Sequence, residues 1–193
     1  MATIDHYIEF DLDYDKEGLL KLFNDHIDEF PALRNLTSPF RSVSEDISLS
    51  EHDCVKHVFD ELFVIPNSTK FYSLTALEKR TIPHTNPGCN GNIIIPLCGT
   101  LYVDIFSYDA PIVDGRPTLH PMPRERVNFT DKDEMALQQS FLETVVVKKP
   151  IVVNGLKVHS FMPAMADKPT FLAIRIPSNI AWSEMVSFVQ TKL

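Results

Sequence analysis

Glycine is scarce in this chain, at six residues, whereas proline is abundant at fourteen, and together they disfavour an architecture dominated by long unbroken helices. Cysteine is also sparse. Cys54, Cys89 and Cys98 cannot all pair, and their spacing matches neither a disulfide framework nor a zinc motif, so an intracellular, cytoplasmic location is expected. No run approaches eighteen apolar residues, which argues against a membrane helix, and the opening MATIDHYIEFDLDYDKE lacks the basic-then-apolar order of a secretion signal. There is no glycine-rich phosphate loop and no nucleophile elbow. Basic residues are outnumbered, 18 Lys and Arg against 26 Asp and Glu, for a formal charge of -8. Most of that imbalance is local: residues 1–30 hold nine acids against Lys16 and Lys21. Such a flank repels phosphate backbones, so nucleic acid is not an expected partner. It reads as a solvated face, or as a docking surface for a basic partner.

What is present is 193 residues with 44% hydrophobic content, enough for one domain with a sizeable core. Residues 6–13 alternate loosely, as an opening strand does. Asp15 is placed to cap a helix running to about Phe30, with Leu19, Leu22, Phe23, His26, Ile27 and Phe30 on one side and Pro31 as its stop. Residues 31–50 read as irregular chain. From Cys54 to Phe63 a second helical spacing recurs. After residue 70 the character changes to strands: FYSLTALEK, NIIIP, TLYVDIF after Gly99, then segments at 143–147, 150–153, 157–161 and 171–176. Asn154–Gly155 is a tight-turn signal between two of these. Residues 107–128, with Gly115 and four prolines, read as a long excursion. Thr130 caps a helix through Leu142, and a short helix carrying Trp182, Val186 and Val189 ends the chain. This order divides one domain into a flank (1–69), a β core (70–177) and a terminal helix (178–193). It predicts antiparallel strands wrapped as a sandwich or barrel.

Two residues with chemistry sit at strand ends. His84 opens HTNPGCNGN, and His159 lies in KVHSF. Neutral imidazoles suit Fe(II), and two of them make two-thirds of a three-ligand face. Residues i and i+2 of extended chain point the same way, so the third ligand position beyond His84 falls on Asn86, a neutral and weaker donor. Arg175 interrupts the apolar run FLAIRI. It reads either as a guanidinium holding a ligand carboxylate through two bonds, or as a rim arginine paired with Asp104 or Glu143. His6, His52 and His57 are weaker candidates, and His120 sits in the excursion, where a loop closes over a site. Cys89 and Cys98 read as small core residues.

The order of these features resembles the iron(II) and 2-oxoglutarate-dependent oxygenases, in the aspartyl/asparaginyl and prolyl hydroxylase-like branch. The resemblance spans about residues 70–177 and is carried by FYSLTALEKRTIPHTN, NIIIPL, TLYVDIF, PIVVNGLKVHSF and FLAIRIP. It implies a mainly β, double-stranded β-helix (jelly-roll, cupin-like) fold with flanking helices. It also implies Fe(II) on His84 and His159, a 2-oxoglutarate carboxylate on Arg175, and a cosubstrate hydrogen bond from Tyr72 or Tyr102. Asn86 stands where that family places an acid. Three outcomes stay open there: iron held by two histidines with Asn86 or water, an anion in the open position, or a cavity kept for binding alone. The functions to be weighed are a hydroxylase acting on an amino-acid, peptide or small-molecule substrate, a metal-free binding module using the same cavity, and an oligomer-forming structural protein marked by an exposed apolar stripe at 182–189.

Overall fold

The computed structural model of the chain describes residues 4–27, 40–44, 49–62, 71–86, 88–119, 131–165 and 167–192. A short strand β1 (Tyr7–Glu9) leads to helix α1 (Lys16–His26), whose N-cap Asp15 accepts from the Gly18 amide at 2.9 Å. Its buried stripe, Leu19, Leu22 and Phe23, follows the i, i+3, i+4 rule. The predicted end near Phe30 lies outside the described residues. Phe40–Ser44, read from the sequence as irregular, forms strand β2; Leu49–Glu51 makes one tight helical turn before α2 (Asp53–Glu61).

The remaining elements are β3 (Phe71–Leu77), β4 (Cys89–Cys98), β5 (Leu101–Phe106), the small hairpin β6 (Ile112–Val113) and β7 (Arg116–Pro117), α3 (Asp131–Gln139), β8 (Phe141–Val147), β9 (Ile151–Asn154), β10 (His159–Pro163), β11 (Thr170–Pro177) and α4 (Trp182–Gln190). The predicted cap Thr130 lies outside the described residues. Strands β1, β9, β4, β11, β3 and β2 form a six-stranded antiparallel sheet in that order, and β10, β5 and β8 form a three-stranded one.

The fold is therefore mixed α/β with open sheets, not the double-stranded β-helix that the sequence suggested. The reason lies in the central strand. Leu172, Ile174 and Ile176 point to one face of β11 and Phe171 and Ala173 to the other, so both faces of the larger sheet need apolar cover. One face receives α1, α2 and α4, which bury Leu19, Phe23, Val55, Val58, Met185, Phe188 and Val189 against it. The other receives the three-stranded sheet through Leu101, Val103, Ile105, Val145, Val147 and Phe161. The order is helices, sheet, sheet. The larger sheet ends on its short strands β1 and β2 and does not close. With Met185, Phe188 and Val189 buried, the 182–189 segment lacks the exposed apolar stripe expected of an oligomer-forming structural protein.

Asn154–Gly155 makes the expected tight turn, but the strands that it joins lie in different sheets. It passes the chain from β9 in the larger sheet to β10 in the smaller one. Gly155 is required there by space: a Cβ would lie 2.6 Å from the Cys89 carbonyl oxygen. Among the described residues no helix is long and apolar enough to cross a membrane. All three cysteines are free thiols, Cys89 buried and Cys98 exposed, which corrects the reading of Cys98 as core.

Candidate functional site

After β3 the chain leaves the larger sheet and runs beside β10 of the smaller one. Thr81 N–H donates to the Phe161 carbonyl at 2.8 Å, and the Phe161 amide donates to Thr81 Oγ1 at 2.7 Å. His84 and His159 then form an antiparallel bridge, with amide-to-carbonyl distances of 2.9 and 3.0 Å. Residues separated by 75 positions are thus made direct neighbours by backbone pairing, and their rings follow: the imidazole centroids are 4.7 Å apart and tilted by 55°.

The rings share a hydrogen-bonding pattern. His159 Nδ1 lies 2.8 Å from the Lys157 carbonyl oxygen, and His84 Nδ1 lies 2.8 Å from that of Ile82. A carbonyl only accepts, so each Nδ1 carries a proton. His159 has no solvent exposure, and its pKa is lowered to about 3, first by burial and then by the neighbouring His84. It stays neutral at physiological pH. A backbone carbonyl fixing Nδ1–H while Nε2 faces inward is the arrangement that orients metal-binding histidines.

Asn86 meets the pair. Its side-chain Nδ2 lies 3.0 Å from His159 Nε2 and donates to it, while its backbone N–H donates to the Gly155 carbonyl at 2.6 Å. The intervening Thr85 is buried. Its Oγ1 donates to the Pro117 carbonyl at 3.1 Å and accepts from the Leu119 amide at 2.8 Å, which ties the β6–β7 excursion to the site's edge. Phe161 contacts both imidazoles, at ring distances of 6.1 and 5.3 Å, and stacks on Phe171 of the larger sheet at 6.5 Å. These two rings form an apolar floor between the sheets.

The structure brings His84, His159 and Asn86 together. Arg175 lies on the face of β11 shared with Phe171 and Ala173, but it is exposed, so the reading of a buried guanidinium is corrected. Neither carboxylate suggested as its partner pairs with it. Asp104 is held instead by Arg80 at 2.7 Å, Thr144 at 2.6 Å and Ser160 at 3.2 Å, on the far side of the smaller sheet. Arg175 lies near Cys89: burial pushes that thiol's pKa up, and the Arg175 and Arg116 guanidiniums pull it down. Cys89 in turn donates its amide to the Asn86 carbonyl at 2.9 Å. Tyr102 sits opposite Val146 and Met162, on the face of the smaller sheet away from the imidazoles, because Leu101 and Val103 on either side of it point inward. Tyr72 pairs with Ile174 in the ladder, and its side chain lies outside the described part of the structure. His120 is likewise outside it. His57 pairs with Asp13 at 3.5 Å and His26 faces His52 at 6.0 Å, both away from the pair.

Sequence reasoning missed Thr85, Phe161 and the Gly155 carbonyl. Only Asn-Gly carried a signal, that of a tight turn between two strands, and the turn is there: the Lys157 amide donates to the Asn154 carbonyl at 3.2 Å. Among the described residues no set of three His, Cys, Asp or Glu forms a metal-binding group; the described groups that could face an ion here are the two imidazoles and the Asn86 amide. Two imidazoles bonded to one ion at roughly 2.1 Å and about 90–110° apart would have ring centres roughly 4.6–5.3 Å from one another, a range that includes the 4.7 Å between these rings.

No protein-family model and no curated protein sequence matches the chain. Solved structures do. The epimerase SnoN in complex with Fe3+, α-ketoglutarate and nogalamycin RO aligns over 91% of this chain and 83% of its own, at 10% identity and a TM-score of 0.51. A second structure of SnoN, described as a non-heme α-ketoglutarate-dependent epimerase from nogalamycin biosynthesis, aligns over 92% and 84%, at 11% identity and the same TM-score. The hydroquinone 1,2-dioxygenase PnpCD, in complex with Cd2+ and 4-hydroxybenzonitrile, aligns over 59% of this chain and 63% of that one, with 15% identity and a TM-score of 0.37. The SnoN likeness is one of fold, and it does not extend to the hydroxylase branch.

Proposed function

We propose that the chain is an Fe(II)- and 2-oxoglutarate-dependent oxidoreductase acting on a small-molecule, amino-acid or peptide substrate, with His84 and His159 as its metal-binding histidines. The observation that carries this reading is the matched pair of imidazoles, 4.7 Å apart, each with its Nδ1–H held by a backbone carbonyl. The fold shared with a non-heme α-ketoglutarate-dependent epimerase supports it. Iron and 2-oxoglutarate held there would supply the oxidative chemistry, with dioxygen as the oxidant of both the 2-oxo acid and a substrate carbon. The chain's own residues orient and shield. Phe161 and Phe171 keep water from the inner side of the imidazoles, and the Lys157 and Ile82 carbonyls hold the rings in the ligating tautomer. Arg175, exposed on the inter-sheet face, is suited to a carboxylate at the opening.

A second reading, a binding module that uses the same residues without metal, is favoured by one observation: the Asn86 amide already satisfies His159 Nε2. Conversion of 2-oxoglutarate to succinate separates the two. The enzyme reading expects Fe(II)-dependent succinate that disappears in His84→Ala and His159→Ala. Ligand binding that persists without any metal uptake at saturating Fe(II) favours the module.

A further inference from the structure

The two outer strands of the smaller sheet differ. β10 is covered, because the chain at Thr81 and His84 pairs with it through Phe161 and His159. β8 has β5 on one side and, among the described residues, no strand on the other. Proteins blunt such edges by keeping them short or by placing charge and proline on them. The larger sheet follows that rule, ending on the three-residue β1 and the five-residue β2. β8 does not. It runs for seven residues, FLETVVV, with four consecutive β-branched side chains, no proline or glycine, and Glu143 as its one charge. A bulge leaves Leu142 without an opposite residue, and Glu143–Val147 then keep regular register with β5. Val146 is 37% exposed and Thr144 is exposed as well, so this stretch is open to solvent.

The outer face selects the partner. There Met162, Tyr102 and Val146 stand level with one another, an apolar row that crosses all three strands and stops at the β8 edge. A second β8, laid antiparallel to the first about a two-fold axis at Val146, continues that row into the Val146, Tyr102 and Met162 of the other copy. The same register sets Val145 opposite Val147, and Glu143 opposite Lys149 in the bend just past the strand. Moving the axis to Val145 sets Glu143 against Val147 and Val146 against Thr144, which loses both the row and the charge match.

We propose that β8 is a homodimer interface, through which two copies of this chain join their three-stranded sheets into one six-stranded antiparallel sheet centred on Val146. Backbone hydrogen bonds along the edge supply most of the affinity, and the Glu143–Lys149 pairs fix the register. The interface is distinct from the 182–189 helix, where Met185, Phe188 and Val189 face the core. It is independent of the metal reading above.

Sedimentation equilibrium of the full chain is the test. A reversible dimer is expected to predominate at about 100 µM and to dissociate on dilution, as small interfaces do. Val146→Lys places two like charges together on the axis and is expected to weaken the dimer about tenfold or more. The monomer's melting temperature is expected to change little, because residue 146 is exposed. Glu143→Lys and Lys149→Glu are each expected to weaken the dimer about threefold or more, and the double variant, with opposite charges restored, to return within about twofold of the native chain. That recovery separates a pair across the interface from the contacts that Glu143 and Lys149 make within one chain, with Tyr7 and Asp11. A chain that stays monomeric at about 100 µM overturns the proposal and leaves the edge to a strand of another protein. A dimer indifferent to Val146→Lys uses another face and overturns it as well. Single variants that weaken the dimer with no recovery in the double overturn the register.

Discussion

The two faces of the larger sheet are built from the same strands and serve different ends. On the helix side, Ile93, Ile95 and Leu97 of β4 and Leu172, Ile174 and Ile176 of β11 meet α1, α2 and α4 in a continuous apolar layer. On the inter-sheet side the same strands are apolar only at one end. There Ile94, Phe171 and Ala173 meet the smaller sheet, while Asn92 and Arg175, paired in register, mark the other end, toward Cys89 and the Asn86–His159 contact. A face sealed along its whole length contributes stability. One that turns polar at an end places Asn92 and Arg175 toward the two imidazoles.

The largest test of this contrast is pH. The folded pKa of His159, about 3, lies below its ordinary value of 6.5, so the unfolded chain takes up the proton first as the pH falls. Its contribution is complete above about 6.5 and drains as the pH drops toward 3. The total is on the order of 5 kcal/mol, from about 1.4 per pKa unit. Denaturant unfolding at pH 7, 6, 5 and 4 measures the slope, and His159→Gln is expected to flatten it. An unchanged slope in that variant means the buried imidazole is not the source.

Leu172→Ala probes the sealed face. Leu172 is fully buried against the helices, and the substitution is expected to cost about 2–5 kcal/mol. Co(II) affinity of the folded fraction is expected to stay within about twofold, since the site lies across the sheet. A larger loss of metal affinity means the two faces are not independent.

Gly155→Ala tests the crossover between sheets. Its Cβ would press on the Cys89 carbonyl, so a cost of about 1–3 kcal/mol is expected. The Asn86 amide, bonded to the Gly155 carbonyl at 2.6 Å, is expected to shift with it. Amide exchange at Asn86 that does not quicken argues against this support.

The smallest effect on stability is expected for Arg175→Gln, within about 0.5 kcal/mol, because the side chain is exposed and has no ion pair among the described residues. Its expected effect is on 2-oxoglutarate affinity, a drop of about tenfold or more from the loss of a charge-assisted bond. Unchanged affinity removes Arg175 from the site.

Local pattern made much of the chain legible. Strand segments after residue 70, the Asp15 cap and the apolar spacing of α2 are local properties, and each formed near where the sequence placed it. Strand partners were not legible. The Asn-Gly turn is the same chemistry whether it joins neighbours in one sheet or carries the chain between two, and only packing across the sheets distinguishes these outcomes. Arg175 shows a related limit. Its polarity in an apolar strand was visible, yet its exposure depends on where the smaller sheet stops covering the larger one.

The His84–His159 pair divides along the same line. The sequence by itself determined that one imidazole follows a strand, that the other lies in a later one and that position 86 holds a neutral amide, because residue type and strand pattern are local facts. Only the tertiary structure decided that the imidazoles lie 4.7 Å apart, that one is wholly buried and neutral, and that Asn86 donates to it. Those properties come from a backbone bridge between residues 75 positions apart and from the water excluded around it, neither of which has a local signature.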